Sequence, residues 1–112
     1  MLTPELLESY FILYRLTGDE KYRDHAWRLA QVIYKYGRSE DSGFVSFRHV
    51  NRIPPVANDY QPSHFLGATL KYLYLIFEDR TSVLPLDKWV FNAAGHPLPV
   101  CGSSELYPKE KC

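Results

Sequence analysis

A chain of 112 residues is enough for one domain or a piece of one. A composition of 46% hydrophobic, 15% aromatic and 23% charged residues excludes a disordered polymer. Thirteen basic side chains balance thirteen acidic ones, so no global field recruits nucleic acid or an anionic membrane surface, and nucleic acid is not an expected partner.

The chain begins MLTPELLES, with neither a basic stretch nor an apolar run of the kind that marks a signal peptide. Pro4 suits the first position of a helix, with Thr3 before it as the expected N-cap. Glu5 and Glu8 fall in the first turns. Acids there can serve the helix dipole alone, or they can be half of a carboxylate site; the local sequence leaves both open. Leu6, Leu7, Tyr10, Phe11, Ile12, Leu13, Tyr14 and Leu16 follow, apolar on nearly every side, which predicts a buried helix ending at Thr17-Gly18.

Asp19 is the expected cap of a second helix over about Asp19 to Tyr36. Tyr22, Ala26, Leu29, Ile33 and Tyr36 make one apolar stripe, while Lys21, Arg23, Asp24, Arg28, Gln31 and Lys35 occupy the rest, so this helix has one wet face. Gly37 ends it. Residues 38–62 show no helical period: "GFVSFRHV" (Gly43 to Val50) has weak strand character, and "RIPPVANDYQP", with three prolines, reads as a loop. A third helix, apolar almost all round, is predicted from about Ser63 to Phe77. "WVFNAAGHPLPV" (Trp89 to Val100) reads as a strand, a turn at Ala94-Gly95 and an extended return. No apolar run reaches bilayer length, and the longest, Leu70 to Phe77, carries Lys71. Cys101 and Cys112 are the only cysteines and could pair. His25 and His49 have no metal-like spacing and are expected at the surface. Two helices dry on nearly all sides need a further layer, so the chain is expected to be a segment of something larger.

Three blocks resemble the class I α-1,2-mannosidases (glycoside hydrolase family 47). "LTPELLESYFILYRLTGDEKY" is similar to that family's L-R-P-E-x-x-E-S-x-x-x-L-Y-R-x-T-G-D, "HFLGATLKYLYLIFED" to its E-S-F-F-L-A-E-T-L-K-Y-L-Y-L-L-F, and "LPLDKWVFNAAGHPLPV" to its L-D-x-x-V-F-N-T-E-A-H-P-L-P. The resemblance covers residues 2 to 100. It implies an all-α fold: a partial (α/α) barrel of inner, outer and inner helices with a C-terminal β-hairpin. Residues 1–100 would form the C-terminal part of an (α/α)7 barrel, followed by a polar tail, 101–112. The family trims α-1,2-linked mannose from high-mannose N-glycans in the endoplasmic reticulum and Golgi, with inversion and a Ca²⁺ ion. By the resemblance Glu5 stands where the family has its catalytic base, Glu8 where a carboxylate lines the sugar site, and His64 where a phenylalanine stacks on sugar.

The departures from the pattern are as specific as the matches. The family's Arg before Pro-Glu is Thr3; in the third helix its two Glu are Pro62 and Ala68; in the hairpin its Thr, a calcium ligand, is Ala93, and the following Glu is Ala94. Calcium selects by oxygen ligands and their charge, so the sequence is expected to bind none, and no metal-ligating residue is assigned. The resemblance therefore implies a glycosidase segment inactive on its own, with an inactive glycan-binding protein or a truncated isoform as the alternatives.

Overall fold

The computed structural model describes residues 2–49, 51–80, 82–103, 105 and 108–112. Helix α1 (Glu5–Thr17) is followed by α2 (Lys21–Gly37), a two-stranded antiparallel ribbon of β1 (Ser46–His49) and β2 (Val56–Asn58), a π-helical turn (Phe65–Thr69), α3 (Leu70–Phe77), and a hairpin of β3 (Trp89–Phe91) and β4 (Pro97–Pro99). All three helices touch one another. The helical character and the C-terminal hairpin expected from the sequence are present.

Helix α1 starts one residue later than a Thr3 cap requires. Pro4 itself takes the N-cap position with helical backbone angles, and its carbonyl accepts the Glu8 N–H at 2.8 Å. The helix closes on Gly18, whose φ of 69° is the left-handed conformation that costs glycine little. Asp19 then accepts the Lys21 N–H at 3.0 Å just ahead of α2, although Glu20 occupies the cap position.

The third predicted helix is not uniform. At Leu70 the N–H reaches back five residues to the Phe65 carbonyl, giving a π-helical turn before the regular α3. Such turns are rare and concentrate at functional places. The second difference is β2. Prolines placed "RIPPVANDYQP" in a loop, yet Val56–Asn58 pairs with β1 through a bulge between Phe47 and His49. Pro54 and Pro55 precede the paired residues and Pro62 follows them, so no ladder hydrogen bond is lost to proline. Val50, the end of the predicted strand segment, lies outside the described residues.

Two apolar clusters hold the helices together. Leu7, Phe11, Ala26, Ala68, Tyr72, Leu75 and Ile76 form one, and Leu2, Ile33 and Phe65 the other. Phe11, Tyr72 and Phe91 meet in edge-on and tilted ring contacts, with centroids 5.5–5.7 Å apart. The end of α3 is gripped by two arginines. Arg15 donates to the Val83 carbonyl at 3.1 Å and the Leu75 carbonyl at 3.5 Å, and Arg23 to the Ile76 carbonyl at 2.7 Å and to Asp79 at 3.0 Å. Cations at carbonyls left over by a helix end satisfy both their hydrogen bonds and the dipole.

Full burial of α1 and α3 does not follow. Each buries one face and leaves apolar side chains on the other: Leu6, Leu13 and Leu16 on α1, Tyr74 and Phe77 on α3. With Trp27, Tyr34 and Leu66 they make an apolar surface, and a groove of about 590 Å³ opens between α2 and α3 over Ile33, Phe44, Leu70 and Leu73. Beyond β4, Cys101 and Cys112 are joined as a disulfide, Cα to Cα 6.2 Å. Among the described residues no helix is long and apolar enough to cross a membrane.

One buried hydrogen bond joins the N-terminal strand of chain to the π-helical turn: Thr69 Oγ1 donates to the Leu2 carbonyl at 2.7 Å, with both residues almost fully buried. T69V keeps the shape and orphans that carbonyl, so it should cost about 1–3 kcal/mol of stability, read as a lower unfolding midpoint by circular dichroism. At the end of α3, Arg80 first of all, and then Tyr74, hold the Glu78 carboxyl down at about 2. A depressed carboxyl contributes stability above its unfolded pKa, and that contribution disappears as pH falls towards about 2. NMR titration should find the Glu78 midpoint near that value and find it raised towards the ordinary carboxylate range in R80M.

Candidate functional site

The first turn of α1, the start of the π-helical turn and the β3–β4 turn carry the residues that the sequence singles out. Glu5 is exposed on α1. Its carboxyl lies below the usual range, chiefly through a hydrogen bond from its own backbone N–H, then through the Thr3 side chain, with the His64 charge a smaller contributor. Thr3 thus lies beside that carboxylate and caps no helix. His64 is half-buried at the N-cap of the π-helical turn, and its Nδ1 is buried without a hydrogen-bond partner. Glu5 and His64 are electrostatic neighbours although 59 positions separate them in sequence.

Glu8 lies one helical turn further along and is half-buried. It lines a cavity of about 260 Å³ with Ile12, Leu86, Trp89, Val90 and Phe91. The Tyr72 hydroxyl is buried nearby without a partner. Burial first, and the Glu8 charge second, push that phenol up to about 12. Glu8 therefore has a wall of aromatic residues from β3 and a phenol kept protonated within reach of its field. Sequence periodicity marks Tyr72 as core only, because a hydroxyl on an all-apolar helix has no phase that distinguishes it.

The β3–β4 turn is organised by Asn92. Its Oδ1 accepts the N–H groups of Ala94 and His96 at 3.0 and 2.9 Å, and its carbonyl accepts the Gly95 N–H at 2.9 Å. The His96 carbonyl accepts the Asn92 N–H at 3.1 Å, so His96 helps fix the hairpin through its backbone. Lys71 reaches from α3 and donates to the Gly95 carbonyl at 2.6 Å. Asn followed three residues later by Gly is a turn signal legible in sequence; Lys71, the one cation in an apolar helix, also stands out there. His25 is exposed and stacks on Tyr10, and His49 is exposed at the end of β1. Among the described residues, no group of three or more His, Cys, Asp or Glu could hold a metal ion.

Residues 1–100 match the family described as Glycosyl hydrolase family 47. A mannosyl-oligosaccharide alpha-1,2-mannosidase IA from Drosophila melanogaster is 50% identical over 107 residues, which are 96% of this chain and 16% of that protein. The mannosyl-oligosaccharide 1,2-alpha-mannosidase MNS3 of Arabidopsis thaliana is 49% identical over 100 residues, 89% of this chain and 16% of that protein. An endoplasmic reticulum mannosyl-oligosaccharide 1,2-alpha-mannosidase from Mus musculus is 46% identical over 101 residues, 89% and 15% respectively. The chain therefore spans about a sixth of the length of the curated relatives it matches. A family match over residues 1–100, with relatives 46–50% identical across the matched stretch, settles the affiliation: the chain belongs to glycosyl hydrolase family 47.

Proposed function

We propose that residues 1–100 are the C-terminal part of an α-1,2-mannosidase barrel of the (α/α)7 type, in which Glu5 and Glu8 face a high-mannose N-glycan. The observation that carries this is the clustering of Glu5 with His64 and of Glu8 with the β3 aromatics, inside the segment that matches the family. Inverting hydrolysis needs a carboxylate that activates water and a protonated carboxyl across the scissile bond. Glu5, exposed and held ionised by its hydrogen bonds, has the character of the first. Glu8 and the ring faces of Trp89 and Phe91 offer the mixture of charge and flat apolar surface that a pyranose takes. The second carboxyl is expected from the rest of such a domain. So are the helices that cover the apolar surface of α2 and α3, with α1 and α3 inner and α2 outer. The place of work is the endoplasmic reticulum or Golgi.

Calcium does not fit the residues present. The side chains where a Thr ligand and two carboxylates are expected are the methyl groups of Ala93, Ala94 and Ala68, and calcium requires six or more oxygens. A base orients water productively only when its neighbours fix both water and sugar, so the chain alone is expected to hydrolyse nothing. A second function, glycan binding without cleavage, is favoured by one observation: half-buried Glu8 shares its cavity with Trp89 and Phe91, whose rings can take a sugar face without any chemistry.

Incubation of the chain with a high-mannose glycan, with and without calcium, should release no mannose; release that disappears in E5Q would overturn this. The positive test places residues 2–17, carrying T3R, in the Drosophila relative. That graft should cleave, and adding E5Q should cut the rate on the order of 10²–10⁴-fold. A graft whose activity survives E5Q removes Glu5 from the site.

A further inference from the structure

Tyr72 sits on α3 inside the larger apolar cluster, only 1% exposed, with its ring against Phe11 and Phe91 at centroid distances of 5.6 and 5.5 Å. Leu7 and Phe11 belong to the same cluster and flank Glu8 on α1, one residue before it and three after. Phe91 also walls the Glu8 cavity. The same side chains thus pack the phenol and frame the carboxylate, and neither group has a polar partner. The Tyr72 hydroxyl is buried without one, and among the described residues no hydrogen bond or ion pair engages the Glu8 carboxylate. Packing alone does not account for the hydroxyl. A phenylalanine would fill the same ring space, and an unpaired buried hydroxyl lowers stability. Such a group calls for a partner in some state of the protein.

We infer that Tyr72 is a positioning residue for Glu8: when a ligand enters the cavity, Glu8 turns one carboxylate oxygen onto the Tyr72 hydroxyl and presents the other to a hydroxyl of a pyranose lying against Trp89 and Phe91. This rests on the reading of Glu8 as a sugar-facing carboxylate. The hydroxyl donates and the carboxylate accepts, which is a charge-assisted bond and stronger than a neutral one. Burial first, and the Glu8 charge second, keep the phenol protonated, so it remains a donor at neutral pH. Glu8 is half-buried, and turning its carboxylate inward takes side-chain rotation rather than backbone movement. The hydroxyl is itself closed off by burial, so it reaches the ligand through Glu8 alone. A carboxylate with one oxygen held accepts from a fixed direction, and that selects among sugar hydroxyls by their orientation.

The experiment uses the 112-residue chain, with a high-mannose glycan as the probe. Y72F removes an orphaned hydroxyl and should raise the unfolding midpoint by roughly 3–6 °C. By NMR titration the same substitution should weaken glycan affinity about tenfold, the weight of one charge-assisted hydrogen bond. In an E8Q background Y72F should weaken it no further, because the hydroxyl acts through Glu8. Without any ligand, E8Q should move the Tyr72 Cζ resonance. A midpoint lowered by Y72F, or a Y72F chain that does not fold, would make the hydroxyl part of the scaffold. An equal loss of affinity in the E8Q background would put the hydroxyl on the ligand itself, and an unmoved Cζ resonance would separate it from Glu8. Each of these overturns the inference. A wild-type chain that binds no glycan sinks the sugar reading by itself, and the midpoint and the Cζ resonance then decide whether Tyr72 addresses Glu8.

Discussion

The hydrogen bond from Thr69 to the Leu2 carbonyl is the constraint on which the arrangement of the site depends. It is buried, so losing it would leave an orphaned carbonyl in an apolar setting. It also fixes where α1 begins relative to the π-helical turn. Glu5 and Glu8 follow Leu2 by one and two helical turns, and His64 precedes Thr69 by a little more than one. Pinning Leu2 to Thr69 therefore brings the carboxylates of one block beside the histidine of another. On its far side the same short segment receives the hairpin, through Gly67, Ala68 and Lys71. Three sequence blocks that are far apart along the chain thus share one anchor.

The opposite end of the helix pair is closed differently. Arg15 and Arg23 place guanidinium groups on the carbonyls at the end of α3 while their planes lie over Phe11 and Tyr14, at 5.1 and 4.3 Å from the ring centroids. Apolar packing fills the space between the two ends, and polar contacts fix the ends themselves. This division suits a site whose working groups lie at one end only.

Much of this is legible in the sequence, for physical reasons that also explain the failures. The period of Tyr22, Ala26, Leu29 and Ile33 gives α2 directly, since Ala26 and Ile33 are buried and Lys21, Arg28 and Lys35 are not. Gly18 and Asn92 punctuate where their chemistry says they should. The π-helical turn is hidden because Phe65, Leu66, Leu70 and Tyr72 are apolar on every side, and a pattern without a phase cannot reveal one extra residue in a turn. β2 is hidden because three prolines outweigh a three-residue strand that begins after Pro55. Thr3 misleads because a hydroxyl before a helix fits a cap and a carboxylate equally well, and only the placement of Glu5 decides between them. The contribution of Lys71 to the turn needs a distance, which spacing does not supply.

The tie between Thr69 and Leu2 spans 67 positions, Arg15 to Val83 spans 68, and Arg23 to Ile76 spans 53. Such long loops must close before their contacts contribute anything. The helical hairpin of α1 and α2, by contrast, is local and can pair early. On a ribosome, the Leu2 carbonyl has to wait for Thr69 to emerge before it finds its partner, with the whole α1–α2 hairpin and the β1–β2 ribbon already outside. The carboxylate end of α1 is thus made well before the block that anchors it and is set in place only once that block exists.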